Sequence, residues 1–141
     1  MKREFISTSS EQTKEIAKKV LTNLDGNIVV LTGDLGSGKT TFSQGVGQSL
    51  NVNRIISPTY IMLRQYNISN NPRFTHLYHA DLYRVKTAKE ALDLGLSEIW
   101  SDPNNLLLIE WPEIILDLLP KNITKINFKK LEEDQRRITI T

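Results

Sequence analysis

The octet Gly33-Asp34-Leu35-Gly36-Ser37-Gly38-Lys39-Thr40 constrains this chain more than any other stretch. It satisfies G-x-x-x-x-G-K-[ST] in full, with the apolar run Ile28-Val29-Val30-Leu31 before it and a helical pattern after it. The glycines let the backbone turn tightly, so that successive N–H groups face inward, and the following helix adds its positive dipole end. The pattern predicts a phosphate cradle built by Gly36, Ser37 and Gly38. Lys39 would reach the β- and γ-phosphates, the Thr40 hydroxyl a Mg²⁺ ion, and Thr41 the α-phosphate. The alternative is a glycine-rich turn with a surface lysine, which the flanking strand and helix signals disfavour.

The rest of the chain reads as an α/β protein. Thr8-x-x-Glu11 and Ser9-x-x-Gln12 both fit a capping box before a helical stripe of Ile16, Ala17, Val20, Leu21 and Leu24. Asp25-Gly26 breaks that helix, and Ile28–Leu31 reads as a strand buried on both faces. Thr40 to Leu50 is expected to be helical. Two runs, "SPTYIMLRQY" and "FTHLYHADLYR", flank the turn "NISNNPR" and form a plausible hairpin. Thr87-x-x-Glu90 caps one further helix carrying Ala91, Leu92 and Leu96. "LLLIE" is a second fully apolar strand, Pro112 opens a helix, and Pro120 closes it. Ile123–Phe128 and Arg137–Thr141 alternate as two last strands, expected near a sheet edge. Strand, loop and helix followed by a later apolar strand predict a mixed, largely parallel sheet flanked by helices, in one domain over 1–141. Ligands of such sheets bind beyond the carboxyl ends of the strands, where Gly33 and Glu110 fall.

Acidic residues near a phosphate loop are candidate metal ligands. Glu110 ends the run Leu106–Ile109, and it suits either a Mg²⁺ ligand or a first-turn acid before Pro112. Asp81 in "HADLYR" suits either a group acting on water or the metal shell, or a surface partner of Arg84. Trp111 is either core or a neighbour of the nucleotide. His76 and His79 lie three apart in a strand and point to opposite faces, which argues against a zinc site. Ser57-Pro58-Thr59-Tyr60 reads as a γ-phosphate-sensing loop or a simple turn.

Composition bounds the functions. With 141 residues, 39% of them hydrophobic and 24% charged, the chain resembles a globular domain, and a net charge of +2 makes no strong case for nucleic acid on its own. The absence of cysteine excludes disulfides and thiolate chemistry. No signal-peptide core or membrane-spanning run is present, so a cytoplasmic location is expected. The basic residues Lys121, Lys125, Lys129, Lys130, Arg136 and Arg137 are interrupted by Glu132, Glu133 and Asp134, as on a solvated face, although Arg136 or Arg137 could stack on a base. No N-K-x-D string supports guanine binding. The arginines between the loop and Glu110 (Arg54, Arg64, Arg73, Arg84) are too scattered for the lid of a small P-loop kinase.

The blocks "GDLGSGKTTF", "SPTY", "YHADLYR", "LGLSEIW" and "LIEWPE", in that order and spacing, resemble the TsaE family of bacterial ATPases in tRNA threonylcarbamoyladenosine biosynthesis. The resemblance runs from about Ser9 to the last strand. It implies a P-loop α/β fold and Mg²⁺-dependent hydrolysis of ATP to ADP. It also implies support of the threonylcarbamoyl transferase subunit TsaD and its partner TsaB, with tRNA met through that complex. Carried over residue by residue, it assigns Gly36, Ser37, Gly38, Lys39, Thr40 and Thr41 to phosphates and Thr40 and Glu110 to the metal. Lys39, Asp81 and Glu110 become the catalytic set, Trp111 lies near the nucleotide, and Thr8 and Arg136 flank the adenine. Ala80 stands where many members carry a bulky aromatic, and Gln65 where an acid is common. A rival reading is a nucleotide-binding docking subunit with negligible turnover.

Overall fold

In the computed structural model, residues 2–52, 55 and 62–141 are described; the Ser57-Pro58-Thr59-Tyr60 loop lies outside them. Arg3–Ser7 forms strand β1, with Phe5 and Ser7 turned inward and Glu4 and Ile6 outward. Sequence patterning placed no strand here, because five residues with two apolar side chains carry too little periodicity. Helix α1 spans Ser10–Thr22. Ser9 caps it, its hydroxyl accepting from the Gln12 N–H at 3.1 Å, while Gln12 Oε1 accepts from the Thr8 N–H at 2.7 Å. Of the two overlapping capping signals, the chain uses Ser9-x-x-Gln12.

Strand β2 (Ile28–Gly33) and helix α2 (Lys39–Ser49) flank the glycine-rich loop. Strands β3 (Leu63–Asn67) and β4 (His76–Asp81) pair antiparallel, as the hairpin pattern predicts. The single helix expected after Thr87 is two: α3 (Ala88–Leu92), capped by Thr87, and α4 (Leu96–Ser101). Gly95 between them has φ +89°, a conformation that no continuous helix contains. Strand β5 covers Asn105–Glu110 and is buried at every position. The helix expected after Pro112 is instead a pair of 3₁₀ turns, Pro112–Ile114 and Leu116–Leu118. Pro112 and Ile115 are both buried, and three residues per turn keep both on the sheet side. Strands β6 (Thr124–Lys130) and β7 (Arg136–Ile140) complete the chain.

Among the described residues the strands form one seven-stranded sheet in the order β1-β7-β6-β2-β5-β4-β3. The four central strands β6, β2, β5 and β4 run parallel, and antiparallel strands flank them. β6 is therefore interior rather than near an edge, because β1 pairs with β7 and takes the edge itself. Alternation along the strands divides the core. Val29, Leu31, Leu106 and Leu108 pack with Ile16 of α1 and Phe42 of α2. Ile28, Val30, Leu107 and Ile109 pack with Ala91, Leu96 and Ile115. Ala80 is fully buried in this second cluster.

The two helices on the first face approach closely at Gly45. A Cβ there would lie 2.8 Å from the Lys14 Cα and 3.0 Å from the Ala17 Cβ. Backbone has to move to admit it, so Gly45→Ala is expected to destabilise the protein by about 1–3 kcal/mol despite the better helix propensity of alanine. Urea denaturation of the variant against the parent checks this.

Candidate nucleotide site

The parallel registers place three strand ends together. Leu31, two residues before the end of β2, lies opposite Glu110 at the end of β5, and Asp81 at the end of β4 lies opposite the same Glu110. Asp81 and Glu110 share the sheet face that carries Leu31 and Phe42, the side on which α2 begins. The loop after β2 therefore opens toward both carboxylates.

Backbone conformation shapes this loop. Gly38 caps α2 with φ +110°, and a Cβ at Gly38 would lie 2.9 Å from the Arg136 Cδ. The left-handed turn requires glycine, and the flexible Arg136 side chain packs across the space its missing Cβ leaves. The first turn of α2 is pinned by the Phe42 N–H bond to the Gly38 carbonyl and by the buried Ser43 hydroxyl, which donates to the Lys39 carbonyl at 3.0 Å.

A cavity of about 220 Å³ forms here, lined by Leu35, Gly36, Gly38, Lys39, Thr40, Thr41, Asp81, Glu110, Trp111 and Arg136. Nine of these are candidates that sequence reading singled out and the tenth, Leu35, is their neighbour in the loop; they come together from β2–α2, β4, β5 and β7. A larger cavity of about 490 Å³ sits at the other end of the parallel strands, beside Asn27, Asn104 and Asn122. Its Arg73 is bonded to the backbone carbonyls of Leu24, Asp25 and Gly26, a tie that closes the end of α1 onto the hairpin. Thr8 does not line the smaller cavity. It follows Ser7, which pairs with Arg136, so it stands one residue beyond the arginine that does. Ser37 is buried beneath the loop.

Charge in the site is held against its environment. Lys39 is 5% exposed, and burial lowers its ammonium pKa from the usual lysine range, opposed by Glu110, Asp81, Glu113 and Asp34. Its Nζ donates to the Gly33 carbonyl and lies 3.7 Å from the centre of the Trp111 ring. Trp111 is left-handed (φ 56°, ψ 58°), a conformation that costs a non-glycine residue about 1–3 kcal/mol. Its ring also packs against Tyr83 in a tilted arrangement, with centroids 4.8 Å apart and 53° between the ring planes. Burial raises the Asp81 carboxyl above the usual aspartate range; Glu110 adds to this, and the Tyr83 N–H bond to Asp81 Oδ1 at 2.9 Å, His79 and Lys39 oppose it.

The donor set fits magnesium. The Thr40 hydroxyl and the Glu110 and Asp81 carboxylates are hard oxygen donors on one cavity wall. Among the described residues no three or more His, Asp or Glu side chains cluster as a protein-only metal site, and Mg²⁺ normally takes one or two carboxylates and completes its shell with phosphates and water. Ser37 Oγ and Arg136 Nε are buried without a hydrogen-bond partner among the described residues, beside a loop shaped for an acceptor-rich ligand. Sequence reading missed His79, which is fully buried with Nε2 2.5 Å from Glu110 Oε2. Strand alternation carried the signal, since His79 and Asp81 are two apart and share a face.

A parallel-core α/β fold with a glycine-rich loop opposite two strand-end acids places the chain in the class of P-loop-like α/β domains. The family model described as "Threonylcarbamoyl adenosine biosynthesis protein TsaE" matches residues 7–138. The tRNA threonylcarbamoyladenosine biosynthesis protein TsaE of Rickettsia bellii is 44% identical over 96% of this chain and 92% of its own. The Bacillus subtilis protein of the same name is 38% identical over 96% of this chain and 82% of its own. The crystal structure of Bacillus subtilis YdiB superposes with a TM-score of 0.79 at 31% identity, covering 99% of this chain and 84% of that one. The chain belongs to the TsaE family of tRNA threonylcarbamoyladenosine biosynthesis.

The environment of Asp81 has a consequence for stability. A folded-state pKa raised above the unfolded value means that stability is lost as pH rises from the unfolded pKa through the folded one, and stays lost above it. Asp81→Asn keeps the Oδ1 acceptor for Tyr83 and removes the charge. The nucleotide-free variant is expected to melt a few degrees above the parent at pH 7, with the gain vanishing at acid pH where Asp81 itself is protonated. Thermal melts across pH 4–8 check this.

Proposed function

We propose that this chain is a Mg²⁺-dependent ATP hydrolase that supports the transferase subunit TsaD and its partner TsaB in forming threonylcarbamoyladenosine beside the anticodon of tRNA. The observation that carries the reading is the single cavity in which the glycine-rich loop meets Lys39, Thr40, Asp81 and Glu110. In this reading the loop N–H groups of Gly36, Ser37 and Gly38 hold phosphate oxygens, and Thr41 reaches the α-phosphate. Lys39 leaves the Gly33 carbonyl for the β- and γ-phosphates. Thr40 and Glu110 hold the metal, which neutralises charge developing on the transferred phosphoryl group. Asp81 orients or deprotonates water; its raised pKa suits a base poised nearer neutral pH than an exposed aspartate. Trp111 and Arg136 flank the base, with Thr8 beside Arg136 at the end of β1.

Two exposed apolar residues at the site, Leu35 (69% exposed) and Tyr83 (54%), support a protein partner that covers the mouth. In this reading tRNA is met through that complex. A cytoplasmic setting belongs to the same reading; no helix of the described residues is long and apolar enough to cross a membrane.

Turnover of ATP and GTP with Mg²⁺, alone and with the TsaD–TsaB complex and tRNA, tests the proposal. Expected are slow hydrolysis of ATP alone, a change in rate with the complex, and a loss of about 10²-fold or more in kcat for Asp81→Ala with ATP binding kept. An Asp81→Ala protein that supports tRNA modification as well as the parent would make the nucleotide a docking ligand instead.

A further inference from the structure

We propose that His79 is a positioning residue that holds the Glu110 carboxylate in the orientation its metal role requires. The inference rests on the magnesium reading above. His79 lies opposite Leu108 in the β4–β5 register, so its ring reaches along the sheet to the residue two further on. There its Nε2–H meets Glu110 Oε2 at 2.5 Å, with side-chain exposures of 0% and 5%. Glutamate has three side-chain torsions, and a carboxylate free to turn in a cleft presents no fixed lone pair to a cation. Fixing one oxygen against a ring that is itself locked in the core removes that freedom. Imidazole and carboxylate partners behind a metal ligand commonly set its orientation and basicity.

Among the described residues Glu110 is the only hydrogen-bond partner of the ring. Its Nδ1 is buried without a hydrogen-bond partner among the described residues, so the one hydrogen bond the ring makes there is to Glu110, while its effect on Asp81 is electrostatic only. A residue kept only for packing would be served as well by leucine, which fills similar space without leaving a ring nitrogen unsatisfied. The other histidine of the strand, His76, faces the opposite way and bonds the hydroxyl of Thr75, its neighbour, at 3.0 Å. The position beside Glu110 is therefore the distinctive one.

The test uses Mn²⁺ as a magnesium stand-in, its affinity for the ADP-bound protein read by electron paramagnetic resonance, alongside ADP affinity in EDTA by calorimetry. His79→Leu is expected to weaken Mn²⁺ binding by about 10–100-fold while ADP affinity in EDTA stays unchanged. His79→Gln places an amide N–H near the Nε2 position and should recover most of the loss; His79→Asn places it near Nδ1 and should not. If His79→Leu fails to fold, the Gln and Asn pair carries the same comparison. Equal Mn²⁺ affinity in parent and His79→Leu, or equal losses in the Gln and Asn variants, overturns the role of His79 alone. A parent protein that binds ADP without any Mn²⁺ enhancement overturns the magnesium reading and this inference with it.

Discussion

The parallel pairing of β2 with β5, which sets Leu31 opposite Glu110, is the constraint on which the other parts of this protein depend. Neither strand can shift without cost. All six residues of β5 and the first four of β2 are buried, so a slip of one residue would exchange the side chains packed under α1 and α2 with those packed under α3 and α4. Because that register is locked, the loop after β2 and the acid ending β5 emerge at the same height. β4 then joins β5 with Asp81 opposite Glu110 and brings the second carboxylate to the same edge. The cleft follows from strand alignment, before any loop contact is made.

Around that edge the protein accepts local costs that its core can offset. A buried ammonium, a carboxyl raised by burial and a left-handed tryptophan lie within a few residues of one another along the cavity wall. Each opposes folding on its own, and strain of this kind persists where rigid surroundings impose it. Here the surroundings are the strand ends and the pinned first turn of α2. Lys39 illustrates the balance: deprived of water, it is held by the Gly33 carbonyl and the face of Trp111, both uncharged. Its direct contacts are with these neutral groups, while the carboxylates of Glu110, Asp81, Glu113 and Asp34 favour its charge from further away.

Much of this was legible in the order of residues. The strand–loop–helix around Gly33 and the apolar run ending at Glu110 are each written in a contiguous pattern, and so is the hairpin leading to Asp81. Less legible were features whose cause is elsewhere in the fold. β1 exists because β7 offers it an edge, which no local periodicity in Arg3–Ser7 announces. The helix expected from Pro112 tightens into 3₁₀ turns because Pro112 and Ile115 must both reach the core under the sheet. His79 read as one half of a poor metal pair with His76; its partner, Glu110, is 31 positions away along the chain and adjacent only across the sheet.

By itself the sequence determined the chemistry on offer: a phosphate-shaped loop, a lysine and a threonine within it, two strand-end acids, and no thiol. These are local properties, because loop geometry depends on glycines at set spacing and a strand end depends on where an apolar run stops. Only the tertiary structure decided which groups meet. It seated Arg136 against Gly38, laid Trp111 under Lys39, left Thr8 outside the cavity and joined His79 to Glu110. Those contacts arise from strand register and from the packing of helices on both faces of the sheet, and both are set by interactions between residues far apart in the chain.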